Sequence, residues 1–260
     1  MKHALFQVNP SSYPQKALQE LLQLGLSDHY CIKESSKILI GGLLNSKPLM
    51  PLEHSILIEY DDPIDWDNQW HLHCPYYKEG LVTIPLKDFG AASDACVYLK
   101  PGPGFGDLSH PTTYLTLSAM ANKIEGASVL DIGCGSGILS LAAYKLGSKQ
   151  VLGIDVDEEA LTHAKANAVL NNCHSEVSFF KEFDPKILNQ GSWVICLNML
   201  WHEQKQVFSC YPSLNFKGIF IVSGLLKEQK EAYLQEFPYS NFKLTNSSVK
   251  DNWISLVLSS

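Results

Sequence analysis

The residues best placed to do chemistry are seven in a row, Asp131-Ile132-Gly133-Cys134-Gly135-Ser136-Gly137, lying between an apolar run and a helical stretch that begins at Ile138. Glycines at such a junction let the chain turn tightly and let a ligand lie on backbone with no Cβ in the way. A dinucleotide fingerprint has glycine at its first, third and sixth positions. Here Gly133, Gly135 and Gly137 stand first, third and fifth, and Ile138 takes the sixth. The loop suits a pyrophosphate poorly, which makes a nicotinamide-dependent dehydrogenase the weaker reading. Asp131, just ahead of the loop, points the same way, because a carboxylate there repels a pyrophosphate and attracts a cationic amino group. About 20 positions beyond Gly133, at the end of the next apolar run, Asp155 stands where an acid accepts hydrogen bonds from both hydroxyls of a ribose. Asp157 has the plainer job of starting the following helix. Loop, preceding acid and ribose acid together specify a site for an amino-bearing nucleoside.

Other reactive groups carry less. His71 and His73 alternate as on a strand, but no third ligand accompanies them and no metal is expected. Cys134 has no identifiable histidine partner and reads as a small residue in a crowded loop. The seven cysteines are scattered, with no C-x-x-C pair, as in a protein whose thiols stay reduced.

The elements that must position the loop follow from periodicity. Strands are expected at Ser128 to Ile132, Val151 to Ile154, Val177 to Phe180, Trp193 to Leu197 and Gly218 to Val222. Helices are expected at Pro111 to about Lys123, Ile138 to Leu146, Glu158 to Leu170 and Lys227 to Glu236. This alternation predicts a Rossmann-like α/β domain over residues 107–260, its parallel sheet covered on both faces. Two closing strands, near Phe242 to Thr245 and Ile254 to Leu258, should form an antiparallel hairpin at the sheet edge. Residues 1–60 read as a small α+β domain. It has strands at Leu5 to Val8, Ile38 to Leu44 and Ser55 to Tyr60, and a helix from Pro14 to Leu24 with Ser12 as its cap, an order that suggests a ferredoxin-like sheet. Residues 61–106, rich in proline, glycine and aromatics, read as linker and loops, with Trp66 and Trp70 packing between domains.

Composition narrows the partners. The 260 residues carry a formal charge of −7 with no lysine or arginine cluster, which argues against direct nucleic-acid binding. The apolar run at Ile38 to Leu44 is far too short to span a bilayer, and the N-terminus has no signal-peptide core. A cytoplasmic monomer without a membrane partner is expected.

The segment from Gly104 to Asn172 resembles the ribosomal protein L11 methyltransferase family. The likeness rests on Phe105-Gly106, His110-Pro111-Thr112-Thr113, the run from Val129 to Ser140, Lys145-Leu146-Gly147 and Gly153-Ile154-Asp155-Val156-Asp157. Asp65-Trp66, Trp70, Pro75, Gly80 and Pro85 upstream are similar too, as are Leu197-Asn198-Met199-Leu200 and Ser223-Gly224-Leu225-Leu226-Lys227-Glu228-Gln229 downstream. The resemblance implies a small N-terminal recognition domain, a linker and a seven-stranded domain that uses S-adenosyl-L-methionine. It also implies methylation of amines, lysine side chains and an N-terminal amine, on ribosomal protein L11. By matching motif, Thr113, Gly133, Asp155 and Asn198 would contact the cofactor, joined by Asp131, Gly135 and Gly137 from the loop. Where the family has an acid and a Thr-Gly pair before its histidine, this chain has Lys100 and Asp107-Leu108. If that stretch shapes the acceptor pocket, the acceptor is another protein or a small molecule, or the same protein methylated differently, and a non-catalytic cofactor-binding module is the remaining alternative.

Asn198, at the end of the fourth strand, is expected to act in catalysis by accepting a hydrogen bond from the target amine, with the Leu197 carbonyl assisting. The plainer reading is an asparagine that caps the next helix. Thr113 reads as a cofactor contact or an ordinary cap, and His110 as a residue that orders its loop. Glu182 or Asp184 is a candidate for the adenine amino group.

Overall fold

The computed structural model describes residues 2–33, 37–48, 51–61, 66–212, 214 and 216–260. The chain divides into two units, Met1–Asp65 and Trp66–Ser260.

The smaller unit runs β1 (Lys2–Val8), α1 (Pro14–Gln23), β2 (Ser27–Lys33), β3 (Ile38–Leu44) and β4 (Ser55–Asp61). The strands pair antiparallel in the order β2-β3-β1-β4. That is the order of a split β-α-β, ferredoxin-like sheet, although no second helix forms among the described residues of the β3–β4 connection. Alternate residues Ala4, Phe6 and Val8 of β1 meet Ala17 and Leu21 of α1, along with Ile40 and Leu44. Pro14 opens α1 at its first position, but the cap is Tyr13, which has no side-chain bond to give. Ser12, expected as the cap, hydrogen-bonds His54 Nδ1 instead (2.8 Å).

The larger unit begins with α2 (Trp66–His73), β5 (Tyr77–Lys78), β6 (Leu81–Pro85) and β7 (Cys96–Leu99). The linker expectation fails for this stretch. Val82 and Ile84 on β6, Val97 and Leu99 on β7, and Trp70 on α2 are buried in one core with Val129, Leu141 and Ala164. Trp66 packs against that same core, so both tryptophans serve the larger unit's interior. His71 and His73, expected on a strand, lie on α2, where His71 meets the edge of Tyr77 at 5.3 Å.

The rest is a doubly wound domain: α3 (Pro111–Met120), β8 (Ser128–Ile132), α4 (Ile138–Lys145), β9 (Gln150–Ile154), α5 (Glu158–Leu170), β10 (Val177–Phe180), β11 (Ser192–Asn198), α6 (Trp201–Cys210), β12 (Lys217–Leu226), α7 (Lys230–Glu236), β13 (Lys243–Lys250) and β14 (Trp253–Ser259). The seven strands pair in the order β10-β9-β8-β11-β12-β14-β13. The first five are parallel, and β14 and β13 close the sheet antiparallel as expected. Both faces are buried. Val129, Val194, Cys196 and Ile221 point into one layer, while Leu130, Ile132, Ile195 and Leu197 point into another with Trp193, Phe216, Phe220, Tyr233, Tyr239 and Phe242. Edge strand β13 is exposed along its whole length and carries Lys243 and Lys250, a composition that discourages further strand pairing. The chain leaves β8 in one direction and β11 in the other, so the crevice beyond their carboxyl ends is the natural ligand site.

Candidate functional site

At that switch point lies a cavity of about 1010 Å³. Its floor is the glycine loop. The amides of Gly133 and Cys134 both donate to the Ile154 carbonyl (2.7 and 3.0 Å), bending the chain over the end of β9. Gly135 has φ +54°, and a Cβ there would stand 2.5 Å from the Phe105 carbonyl oxygen, so no larger residue fits without moving the neighbouring loop. Gly133 also has a positive φ, and a Cβ on it would strike the Met199 side chain. Gly137 caps α4 in the left-handed region. Cys134 is buried, and burial pushes its thiol far above the ordinary range, which removes it as a nucleophile.

Asp155 lines the cavity and organises the loop. Its Oδ2 accepts from the Gly135 amide (2.9 Å) and its Oδ1 from the Asp157 amide (3.1 Å). Each oxygen keeps lone-pair capacity for a further donor. Asp157 caps α5 through the Glu159 amide at 2.9 Å. Of the two candidate acids after β10, Glu182 lines the cavity, while Asp184 is engaged on the Lys186 amide at 3.0 Å.

Asp131 sits beneath the loop, outside the lining. Its Oδ2 accepts from the amide and hydroxyl of Ser140 (3.1 and 2.7 Å), and its Oδ1 is buried with no partner among the described residues. Complete burial, opposed by the Ser140 bonds, pushes this carboxyl up to about 7. The folded protein therefore holds the proton more tightly than the unfolded chain. Stability associated with this group is greatest below pH 3.8 and declines as the pH rises to about 7. The melting temperature of the wild type should accordingly fall relative to Asp131→Asn between pH 5 and 8. A difference that stays constant with pH would show that the carboxyl does not titrate in that window.

On the opposite wall, Asn198 ends β11 and is only 8% exposed. Its Nδ2 donates to Thr113 Oγ1 over a long 3.4 Å, while Oδ1 has no partner among the described residues. Thr113 is fully buried behind it and does not line the cavity, whereas Thr112 does. The cap of α3 is His110, whose Nδ1 accepts from the Thr112 amide (3.4 Å). Burial holds this imidazole below its usual 6.5, with Asp107 pulling the other way. Trp253 meets the edge of His110 at 4.5 Å, and Phe105 lies on its other side at 5.8 Å.

Sequence reasoning missed two residues that shape these walls. Gln204 on α6 is completely buried and donates to the Met199 and Ser223 carbonyls (2.8 and 2.9 Å), while its Oε1 accepts from Tyr233 (2.7 Å). It fixes the turn directly after Asn198. Gln204→Leu would strip a hydrogen-bond partner from two buried groups and the part-buried Met199 carbonyl, and should destabilise the protein by about 3 kcal/mol, against about 1 kcal/mol for Tyr233→Phe, measured by urea unfolding. Similar small losses from both would mean that the network contributes little. The second missed residue, His163, tethers the loop carrying Phe105.

A seven-stranded doubly wound sheet with a glycine loop at its switch point and an acid on the neighbouring strand places this unit among the Rossmann-like α/β proteins, whose ligand crevice lies at that point. The family described as ribosomal protein L11 methyltransferase (PrmA) matches residues 29–260. The chain belongs to that family. It is 34% identical over 200 residues to the ribosomal protein L11 methyltransferase of Staphylococcus saprophyticus, a match covering 74% of this chain and 64% of that protein. It is thus aligned with just under two thirds of that relative's length. It is 29% identical over 264 residues to the protein of the same name from Halalkalibacterium halodurans, covering 97% of this chain and 83% of the other. Among solved structures, the ribosomal protein L11 methylase of Lactobacillus delbrueckii subsp. bulgaricus superposes with a TM-score of 0.52 at 32% identity, over 62% of this chain and 83% of that one.

Proposed function

We propose that the protein is an S-adenosyl-L-methionine-dependent methyltransferase acting on amines, lysine side chains and the N-terminal amine, of ribosomal protein L11. The observation that carries this reading is one cavity that joins the Asp155 carboxylate and bare glycine backbone on one side to the unpartnered Asn198 Oδ1 on the other. The residues present fit the cofactor. Asp155 has acceptor capacity for two ribose hydroxyls, Gly133 and Gly135 line the cavity beside it, and Glu182 can accept from an adenine amino group. When bound, the cofactor would supply an electrophilic methyl carbon on its sulfonium, open to in-line attack by an amine nitrogen, with the sulfur leaving as a neutral thioether.

The chain's own residues position the acceptor. An ammonium has no lone pair, so the amine must shed its proton to water before or during binding, because Asn198 orients the amine but is no base. Asn198 Oδ1, being neutral, accepts a hydrogen bond from an amine without holding it in the ammonium form as a carboxylate would. Leu197, whose carbonyl the sequence suggested as a second acceptor, is fully buried in β11 and does not line the cavity, which leaves Asn198 as the acceptor. Phe105, His110 and Trp253 form an aromatic patch on the cavity wall. The departures from the family pattern support the same acceptor, since none of them lines the cavity. Lys100 is exposed, Asp107 turns its own loop by accepting from Ser109 (3.0 Å from the amide), and Leu108 is buried in the core at φ +68°. No helix among the described residues is long and apolar enough to cross a membrane, and ribosomal protein L11 would be met in the cytoplasm.

Incubation with radiolabelled S-adenosyl-L-methionine, purified ribosomal protein L11 and a whole-cell lysate tests the reading. Label on the ribosomal protein supports it. Label confined to another band keeps the chemistry and overturns the acceptor, and calorimetric cofactor binding with no label anywhere favours a binding module.

A further inference from the structure

The wall of the cavity made by Pro103, Gly104 and Phe105 belongs to a proline–glycine loop, residues 100–106, with no regular structure of its own. Side chains spaced four apart, two on α5 and one at its C-cap, hold this segment and the end of β7 that leads into it. Asn171 accepts from the Tyr98 amide (2.9 Å) and donates to the Tyr98 carbonyl (2.6 Å). Asn167 accepts from the Lys100 amide (3.0 Å) and donates to the Ser136 carbonyl (2.9 Å), joining the segment to the glycine loop. The last rung is His163. Its Nδ1 lies 3.1 Å from the Gly104 amide and its Nε2 lies 2.8 Å from the Lys100 carbonyl. A backbone amide can only donate and a carbonyl can only accept, so Nε2 carries the proton and Nδ1 is bare. The ring is buried, stands edge-on to Trp70 at 5.8 Å, and is pressed so closely by the loop that a Cβ on Gly102 would lie 2.6 Å from Nε2.

We propose that His163 is a positioning residue for the cofactor cavity, a latch whose neutral ring ties residues 100–106 to α5 and releases them when it is protonated. An imidazolium has donors at both nitrogens, and the second would face the Gly104 N–H, donor against donor. Gly104 and Phe105 would then leave the cavity wall, and with them the bond from the Ser136 amide to the Phe105 carbonyl (2.8 Å). Burial holds the ring below its ordinary 6.5, against the pull of the Lys100 carbonyl, so the latch stays shut at neutral pH. Stability from this group is complete above pH 6.5 and is lost as the pH falls through the lower folded value. Other titratable groups on the elements packed here include Lys100 and Asp107 beside the loop, His110 against Phe105, Asp67, His71 and His73 on α2, Glu158, Glu159 and Lys165 on α5, and Asp131 and Asp155 at the glycine loop. The ring's own hydrogen bonds go to backbone alone.

The latch can be tested without cofactor, while its effect on the cavity rests on the proposed cofactor reading. Amide hydrogen exchange at Gly104, Phe105 and Gly106, read by NMR and corrected for intrinsic pH dependence, would be followed from pH 7.5 to 5 in the wild type and in His163→Gln. Glutamine keeps a donor for Lys100 but cannot be protonated. Protection should fall about tenfold in the wild type, the scale of one lost buried hydrogen bond, and less than twofold in the variant. Parallel profiles in the two proteins, or a flat one in the wild type, would overturn the latch. Calorimetry with S-adenosyl-L-methionine over the same range should show affinity following protection in the wild type. At pH 7.5, His163→Ala should raise KM for the cofactor about tenfold with kcat within threefold. If affinity fails to follow protection, the positioning role is overturned. Absence of cofactor binding at every pH would instead remove the cofactor reading, with the exchange data still deciding the latch.

Discussion

Asn198→Ala is expected to lower methyl transfer about a hundredfold or more, the scale set by removing one positioned hydrogen-bonding group from a reacting centre. Stability should change by only about 1 kcal/mol, because the amide makes a single long bond to Thr113 and leaves its oxygen unpartnered. A buried acceptor without a donor is rare in folded proteins and calls for an explanation; an incoming amine supplies one. Asn198→Asp refines the test. A carboxylate there would hold the acceptor as an ammonium, lowering kcat more than it raises KM and moving the pH–rate profile to higher pH. Turnover of the alanine variant within threefold of wild type would remove Asn198 from the acceptor site.

The second large effect is on cofactor affinity. Asp155→Ala deletes the acceptor proposed for two ribose hydroxyls and unties the Gly135 and Asp157 amides. Two hydrogen bonds to a charged group, at about 1.5 kcal/mol each, correspond to about a hundredfold weaker binding by calorimetry. Asp157→Ala is the companion variant. It loses only a helix cap, which costs about 1 kcal/mol of stability, and its cofactor affinity should stay within about twofold of wild type. Equal losses in the two variants would mean that Asp155 shapes the loop without touching the ribose.

The parallel core of the larger unit was legible because strands buried on both faces read as uninterrupted apolar runs, as in Val129-Leu130 and Val194-Ile195-Cys196-Leu197, with glycines marking their ends. The glycine loop and Asp155 were legible because the backbone path itself demands those residue types. Elements with mixed patterns were missed. Strand β2, Ser-Asp-His-Tyr-Cys-Ile-Lys, is an edge strand with no clean alternation, and α6 offers few apolar positions to betray a buried face. In residues 66–106, proline and glycine masked the short alternations Val82/Ile84 and Val97/Leu99 that build β6 and β7. Gln204 and His163 were invisible for a different reason. Their partners lie far away along the chain, Tyr233 and Ser223 for one and Lys100 and Gly104 for the other, so no local pattern marks them.

The rungs on α5 and at its C-cap reach only main-chain atoms of the segment they hold: the amide and carbonyl of Tyr98, the amide and carbonyl of Lys100, and the amide of Gly104. Such a tether is indifferent to the side chains of what it grips. At the exposed positions 98 and 100 the side chain can be exchanged, lysine for an acid at residue 100 included, without loosening the attachment. Gly102 and Gly104 are different, because a Cβ at either would meet His163 or the glycine loop, so substitutions come at low cost only where the strip faces outward.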